Sequence, residues 1–172
     1  MDFYSVVKQR RSVRAFLEQD IEKEKLDRVI GAFMLAPSAG NLQAYKVYIV
    51  KNPALKQELA EAALGQECIS SAPLVLVFCA DKKRSAMKYS ERGFELYSVQ
   101  DATIAAAYAQ LAAAAEGLGS VWVGAFDPLE VSRLINADPY VVPVAIIPIG
   151  YPAEHPSMRE RRSVKEIVKE IK

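Results

Sequence analysis

Apolar positions fall at helical spacing in the first third of the chain and in unbroken runs further on. Asp2 can cap a first helix running to about Arg10. A second helix begins at Asp20 or Glu22. It carries Leu26, Val29, Ile30 and Phe33 at helical spacing, and Pro37 stops it. Pro37-Ser38-Ala39-Gly40-Asn41 reads as a loop. Tyr45 to Lys51, rich in aromatic and β-branched residues, predicts a strand. Pro53 starts a third helix that ends near Gly65. Leu74 to Ala80 is apolar at every position, the pattern of a central strand covered on both faces. The charged stretch Asp81 to Lys88 follows.

The longest predicted helix runs from about Glu91 to Leu118. Ala102, Ala105, Ala106, Ala109, Ala112 and Ala113 favour it, and at 1.5 Å per residue it would span about 40 Å. Apolar residues surround nearly its whole circumference, which predicts burial on most sides. Gly117 and Gly119 end it. Val121 to Phe126 predicts a third strand. Asp127 then caps a short helix with Pro128 at its first position. Val141 to Ile149 predicts a fourth strand, which Pro143 and Pro148 mark as an edge or irregular one. The tail from Arg159 is basic and weakly helical. Strands and helices alternate, but several helices cluster, so the expected class is a layered α+β fold. No repeat or long linker divides the chain, and residues 1–172 are expected to form a single domain.

Composition fits this picture. The 172 residues are 51% hydrophobic and 25% charged, as in an ordinary globular protein. The net charge of +1 supplies no global field to attract nucleic acid or an anionic membrane. The Ala-rich helix is interrupted by Asp101, Gln110 and Glu116 and makes a poor membrane span. Met1-Asp2-Phe3 leads directly into a charged amphipathic segment rather than a secretion signal. Cys68 and Cys79 match no metal or redox spacing, and a reducing cytoplasm is the expected compartment.

The charges that do stand out are clustered. Arg10-Arg11-Ser12-Val13-Arg14 lies near one end of the chain and Arg161-Arg162-Ser163-Val164 near the other. Guanidinium forks suit phosphate oxygens, and a serine hydroxyl can donate to the same anion. If both clusters fold onto one pocket they describe a site for a phosphorylated small molecule. Otherwise they are solvated charge at helix ends. Familiar catalytic sets are missing. The one histidine, His155, sits between Pro152 and Pro156, so no metal cluster and no convincing His-based triad can be assembled. No Rossmann fingerprint or Walker loop is present. Hydride transfer through a flavin would need no titrating side chain, because the cofactor carries that chemistry.

Four segments, in this order, resemble the FMN-dependent nitroreductase family. Arg10-Arg11-Ser12-Val13-Arg14 is similar to its N-terminal Arg-x-Ser-x-basic signature. Pro37-Ser38-Ala39-Gly40-Asn41-Leu42-Gln43 is similar to its Pro-Ser-x-x-Asn-x-Gln loop. Gly117 to Phe126 resembles the glycine-rich turn into the strand beside the flavin. Arg161-Arg162 stands where the family places a basic pair. The resemblance implies a mainly antiparallel central sheet packed by helices, a long buried helix, and a C-terminal tail reaching a partner subunit. It implies FMN as cofactor, held by Arg10, Arg11 and Ser12 at the phosphate and ribityl chain, with Arg162 and Arg161 completing the clamp. Arg14 would approach the pyrimidine edge of the ring. The Gly124 N–H, flanked by Val123 and Ala125, would donate to the ring nitrogen that accepts hydride. Pro37, Ser38, Asn41 and Gln43 would come from the second subunit of a homodimer. The implied activity is a ping-pong oxidoreductase in which NAD(P)H reduces the flavin and a nitroaromatic, quinone or similar acceptor reoxidises it. Flavin–oxygen chemistry such as FMN cleavage, or a non-enzymatic binding module for a phosphorylated ligand, remain alternatives. The sequence also departs from the family. Ala44-Tyr45 replaces a common Pro-Trp, Gly124 replaces the Glu of larger relatives, and Asp81 to Tyr97 stands in for a longer substrate cover. Tyr89 and Arg92 of that segment are weaker candidates for lining the site.

Overall fold

Strand β2 (Leu74–Asp81), apolar from Leu74 to Ala80, organises the molecule, because a strand buried on both faces needs a layer on each side. The computed structural model describes residues 2–171. Before β2 come α1 (Phe3–Gln9), α2 (Lys23–Met34), β1 (Tyr45–Val50), α3 (Pro53–Ala62) and α4 (Glu67–Ser71). After it come α5 (Lys82–Arg92), a π-helical turn (Gly93–Tyr97), α6 (Ser98–Ala115), β3 (Gly119–Ser120), α7 (Pro128–Leu134), β4 (Val141–Gly150) and α8 (Val164–Ile167). The four strands form an antiparallel sheet in the order β1-β2-β4-β3.

Alternation along β2 sends successive side chains into two cores. Leu74, Leu76 and Phe78 meet Val29 and Phe33 of α2 and Ala105, Ala106, Ala109 and Ala113 of α6. Phe33 and Phe78 pack edge to face with centroids 5.4 Å apart. Val75, Val77 and Cys79 face the other way, toward Leu59 of α3, Ile69 of α4 and Val131 of α7. The alanines of α6 let it lie close to the sheet, and Gly117 ends it at φ +76°, a conformation that suits glycine.

Several sequence expectations change. The long helix expected from about Glu91 does begin just past the non-helical Ser90, but its first turns are π-helical (Gly93–Tyr97) and the regular α-helix is α6, ending at Ala115. The charged stretch after β2 is itself helical, as α5, capped by the Asp81 carboxylate accepting from the Arg84 N–H at 3.0 Å. Nor is α6 covered all round, since Gln100, Thr103, Ala107 and Tyr108 are exposed. The predicted strand at Val121 to Phe126 holds only an isolated bridge between Val123 and Ile146, and the third strand, β3, lies just before it. β4 is irregular, with a register shift opposite Phe78 and Cys79, yet it lies inside the sheet rather than at its edge. Ile146 directs its N–H and C=O to Val123, away from β2. Pro148, two residues on, shares that direction, so its missing N–H falls on the side where strand pairing lapses.

Candidate functional site

Arg10 follows the last residue of α1, and its N–H closes the helix on Val6 at 2.9 Å. The next residues run beside β3, where the Val13 N–H donates to the Ser120 carbonyl at 3.0 Å and Ser12 bridges Ser120. Val13 is buried, so its neighbours Ser12 and Arg14 are turned the other way along this extended stretch. The chain beyond β4 forms the opposite wall. The Ala153 N–H donates to the Ala15 carbonyl at 2.9 Å, and Glu154 Oε1 accepts from the Arg14 N–H at 2.5 Å and the Ala15 N–H at 3.3 Å.

Between these walls lies a cleft of about 610 Å³ bordered by Arg10, Arg11, Ser12, Arg14, Arg159 and Arg161. Its volume falls in the range of cofactor pockets, about 300–1,000 Å³. Burial lowers the Arg10 pKa first, and the neighbouring Arg161 and Arg11 charges lower it further. The two ends of the sequence therefore meet electrostatically at Arg10. Several guanidinium groups held together repel one another, and an anion between them would offset that repulsion. An adjoining cleft of about 710 Å³ shares Arg10 and Arg11 and includes His155. Two expected clamp residues are engaged elsewhere. Arg11 Nη1 donates to the carbonyls of Lys8 and Arg10 at 2.7 and 2.9 Å. Arg162 turns into its own tail, donating from Nη2 to the Glu166 carbonyl at 3.1 Å.

Gly124 follows Val123, which exchanges two hydrogen bonds with Ile146 at 2.9 and 3.0 Å. Among the described residues, the Gly124 N–H has no hydrogen-bond partner. It is a fixed backbone donor on an exposed turn, since alternation aims it away from Ile146. The Ala125 carbonyl accepts from Gln66 Nε2 at 3.1 Å.

The Pro37–Gln43 loop is braced internally. The Gln43 N–H donates to Ser38 Oγ at 2.9 Å, and Gln43 Nε2 donates to Asn41 Oδ1 and to its carbonyl, both at 3.0 Å. Gly40, Asn41 and Gln43 all have positive φ. The residue that fixes this loop is Asp101 of α6, 2% exposed, whose carboxylate accepts from the Ala39 N–H at 2.9 Å and the Ala44 N–H at 3.2 Å. Asp101 and Glu154 were not identified as site residues from sequence. Asp101 had one signal, a carboxylate in an alanine-rich helix. Glu154, in a charged loop, had none.

Pro37, Ser38 and Ala39 border a cleft with Asp101 and Ile104, near the start of α6. The arginine cleft's neighbour borders Ala114 and Gly117, at and just beyond its end. In one chain the loop and the arginines thus sit at opposite ends of an 18-residue helix, about 27 Å long at the standard rise. Burial pushes the Cys79 thiol up to about 12, so it behaves as an apolar side chain rather than a nucleophile.

A helix-covered antiparallel sheet with a cleft of converging arginines suits a small anionic ligand. The chain belongs to the Nitroreductase family, whose pattern matches residues 7–67 and 64–151. It is 32% identical over 165 residues to a putative NADH dehydrogenase/NAD(P)H nitroreductase of Methanothermobacter thermautotrophicus, covering 93% of this chain and 82% of that one. It is 34% identical over 164 residues to an FMN reductase [NAD(P)H] of Bacillus subtilis, covering 88% of this chain and 66% of that one. The fold superposes on the structure of B. megaterium NfrA2 with a TM-score of 0.92 at 29% identity, over 98% of this chain and 74% of that one. No helix among the described residues is long and apolar enough to cross a membrane.

Proposed function

We propose that this protein is an NAD(P)H-dependent FMN oxidoreductase that reduces a nitroaromatic, quinone or similar conjugated acceptor in a ping-pong cycle, with residues 1–172 acting as one FMN-binding domain. The observation that carries the reading is the cleft where Arg10, Ser12, Arg14 and Arg161 converge from distant parts of the sequence. The names of the Bacillus and Methanothermobacter relatives point the same way. Bound FMN would supply the hydride-accepting and hydride-donating chemistry. Arg10, Ser12 and Arg161 would hold its phosphate, with Arg11 and Arg162 free to join by rotating from their present partners. Arg14 would place a cation at the pyrimidine edge, favouring negative charge there. The Gly124 N–H, between Val123 and Ala125, would donate to the ring edge. No side chain of the protein would need to titrate.

The working unit is a homodimer. Pro37, Ser38, Asn41 and Gln43 would reach the ring from the second copy, which resolves their distance from the arginines. Exposed Phe3, Tyr4 and Val7 of α1 and Tyr108 of α6 support this. So does the tail, where Val164, Ile167, Val168 and Ile171 are exposed. Two buried free thiols suit a cytoplasmic location.

The test is anaerobic titration of FMN-loaded protein. NADH or NADPH bleaches the visible absorbance, and a nitroaromatic or quinone restores it stoichiometrically. Mass spectrometry recovers intact FMN after many aerobic turnovers. Flavin that neither nucleotide reduces, or that is consumed, overturns the reading.

A further inference from the structure

We propose that the segment 82–97 is a cationic-aromatic cover that selects a planar acceptor carrying a negatively charged group, with Lys88, Tyr89 and Arg92 as its selectivity residues. The inference rests on the flavin site proposed above, because it places this cover over the loop assigned to the ring.

The placement is direct. A Cβ added to Gly40 would lie 2.4 Å from Tyr89 Oη and 2.7 Å from Lys88 Nζ, so both side chains press onto the Pro37–Gln43 loop. Arg84 Nε donates to the Leu42 carbonyl and ties the start of α5 to the same loop. Tyr89 and Tyr97 pack edge to face, with centroids 5.1 Å apart and an interplanar angle of 82°. Arg92 Nε donates to Tyr97 Oη at 2.9 Å. Two aromatic rings and two cations therefore form one connected surface beside the loop.

The charge of this surface is unbalanced. Lys82 is paired with Glu95 at 3.4 Å. Among the described residues, Lys83, Arg84, Lys88 and Arg92 make no ion pair with a carboxylate. A net charge of +1 for the whole chain makes this local excess conspicuous. Lys88 lies over the Tyr89 ring and Arg92 over the Tyr97 ring, and both are exposed, so a planar anion can meet cation and aromatic surface together.

The backbone holds the cover in place. Ser90 has φ 49° and ψ −137°, a region that side chains rarely occupy. Such a conformation costs about 1–3 kcal/mol and tends to occur at ligand clamps. The bend there separates Lys88 and Tyr89, on the loop, from Arg92, on Tyr97.

The anion could belong to the acceptor or to the 2′-phosphate of NADPH, and the two sources are separable. FMN-loaded wild type, Lys88→Gln and Arg92→Gln are compared with para-nitrobenzoate and its neutral amide as acceptors. The kcat/KM ratio of benzoate over amide is expected to fall about five- to tenfold in each variant, as for loss of one charge-assisted contact. Binding of unreactive benzoate to oxidised holoprotein, read from the flavin spectrum, weakens by a similar factor. In the wild type, added salt raises the KM for nitrobenzoate more than that for the amide. An unchanged ratio with unchanged benzoate binding overturns the proposal. A selective slowing of flavin reduction by NADPH relative to NADH also overturns it, assigning the cations to the nucleotide. A protein that takes up no FMN brings down the flavin reading itself, and its colourless spectrum distinguishes that failure from the others.

Discussion

A buried carboxylate is costly unless donors surround it, and Asp101 meets that condition with two backbone N–H groups. One belongs to Ala44, which is fully buried. Asp101→Ala removes both acceptors and leaves the Ala44 donor without a partner. The expected loss of stability is about 2–4 kcal/mol, from charged hydrogen bonds plus an unsatisfied donor. Asp101→Asn costs less, because its amide oxygen still accepts one bond while its NH₂ opposes the other. Urea unfolding checks the size, and FMN affinity should weaken with Asp101→Ala as the loop loosens. An alanine variant within about 0.5 kcal/mol of wild type, the ordinary range for surface changes, removes the anchoring role. Glu154 plays the equivalent part for Arg14 and Ala15. The sequence displays both carboxylates but not their partners, which lie between 57 and 140 positions away. By contrast the cluster Arg10 to Arg14 stands out in the sequence, because its charges are neighbours along the chain.

Between α5 and α6 the chain obeys tertiary contact rather than propensity. The alanine periodicity marks α6 and its expected start near Glu91 falls beside the bend at Ser90, yet nothing in the local sequence announces the strained backbone there or the π-helical turn that follows. The bend follows from close packing, since a Cβ at Gly93 would lie 2.5 Å from the Ser85 carbonyl. Similarly, Val121 to Phe126 has strand composition but lacks a full partner, because Pro148 offers no donor on that side of β4. The central strand β2 and the caps at Asp2 and Asp127 were legible, being local signals that the fold leaves undisturbed. The strain at Ser90 gives an element-scale prediction. Ser90→Gly removes the Cβ from a backbone conformation that glycine adopts readily. Relief of strain exceeds the added freedom of the unfolded chain, for a net gain of about 1 kcal/mol. For a chain of this length that raises Tm by about 2–4 °C. Thermal unfolding measures it, and a Tm that is unchanged or lower shows that Ser90 is not strained.

At the scale of the whole molecule, α6 sets a problem that a second copy would solve. The arginine cleft lies near one end and the Pro37–Gln43 loop at the other. Two copies related by a two-fold axis across α6 would bring each loop to the other copy's arginines, and closed two-fold dimers are the commonest assemblies. Each site would then draw on both chains, which a mixing experiment can reveal. Arg10→Ala with Arg161→Ala disables the phosphate side of a chain. Ser38→Ala with Asn41→Ala disables its loop side. Each homodimer carries two damaged sites. In a mixed dimer one site inherits both defects, and the other combines the intact arginines of one chain with the intact loop of its partner. Random pairing makes about half the dimers mixed, so coexpression should restore about a quarter of the wild-type sites. Stoichiometric FMN binding and acceptor reduction measure the recovery. If each site were built within one chain, every site would keep one defect and mixing would restore nothing. Recovery near a quarter would therefore locate the loop and the arginines of a single site on different chains.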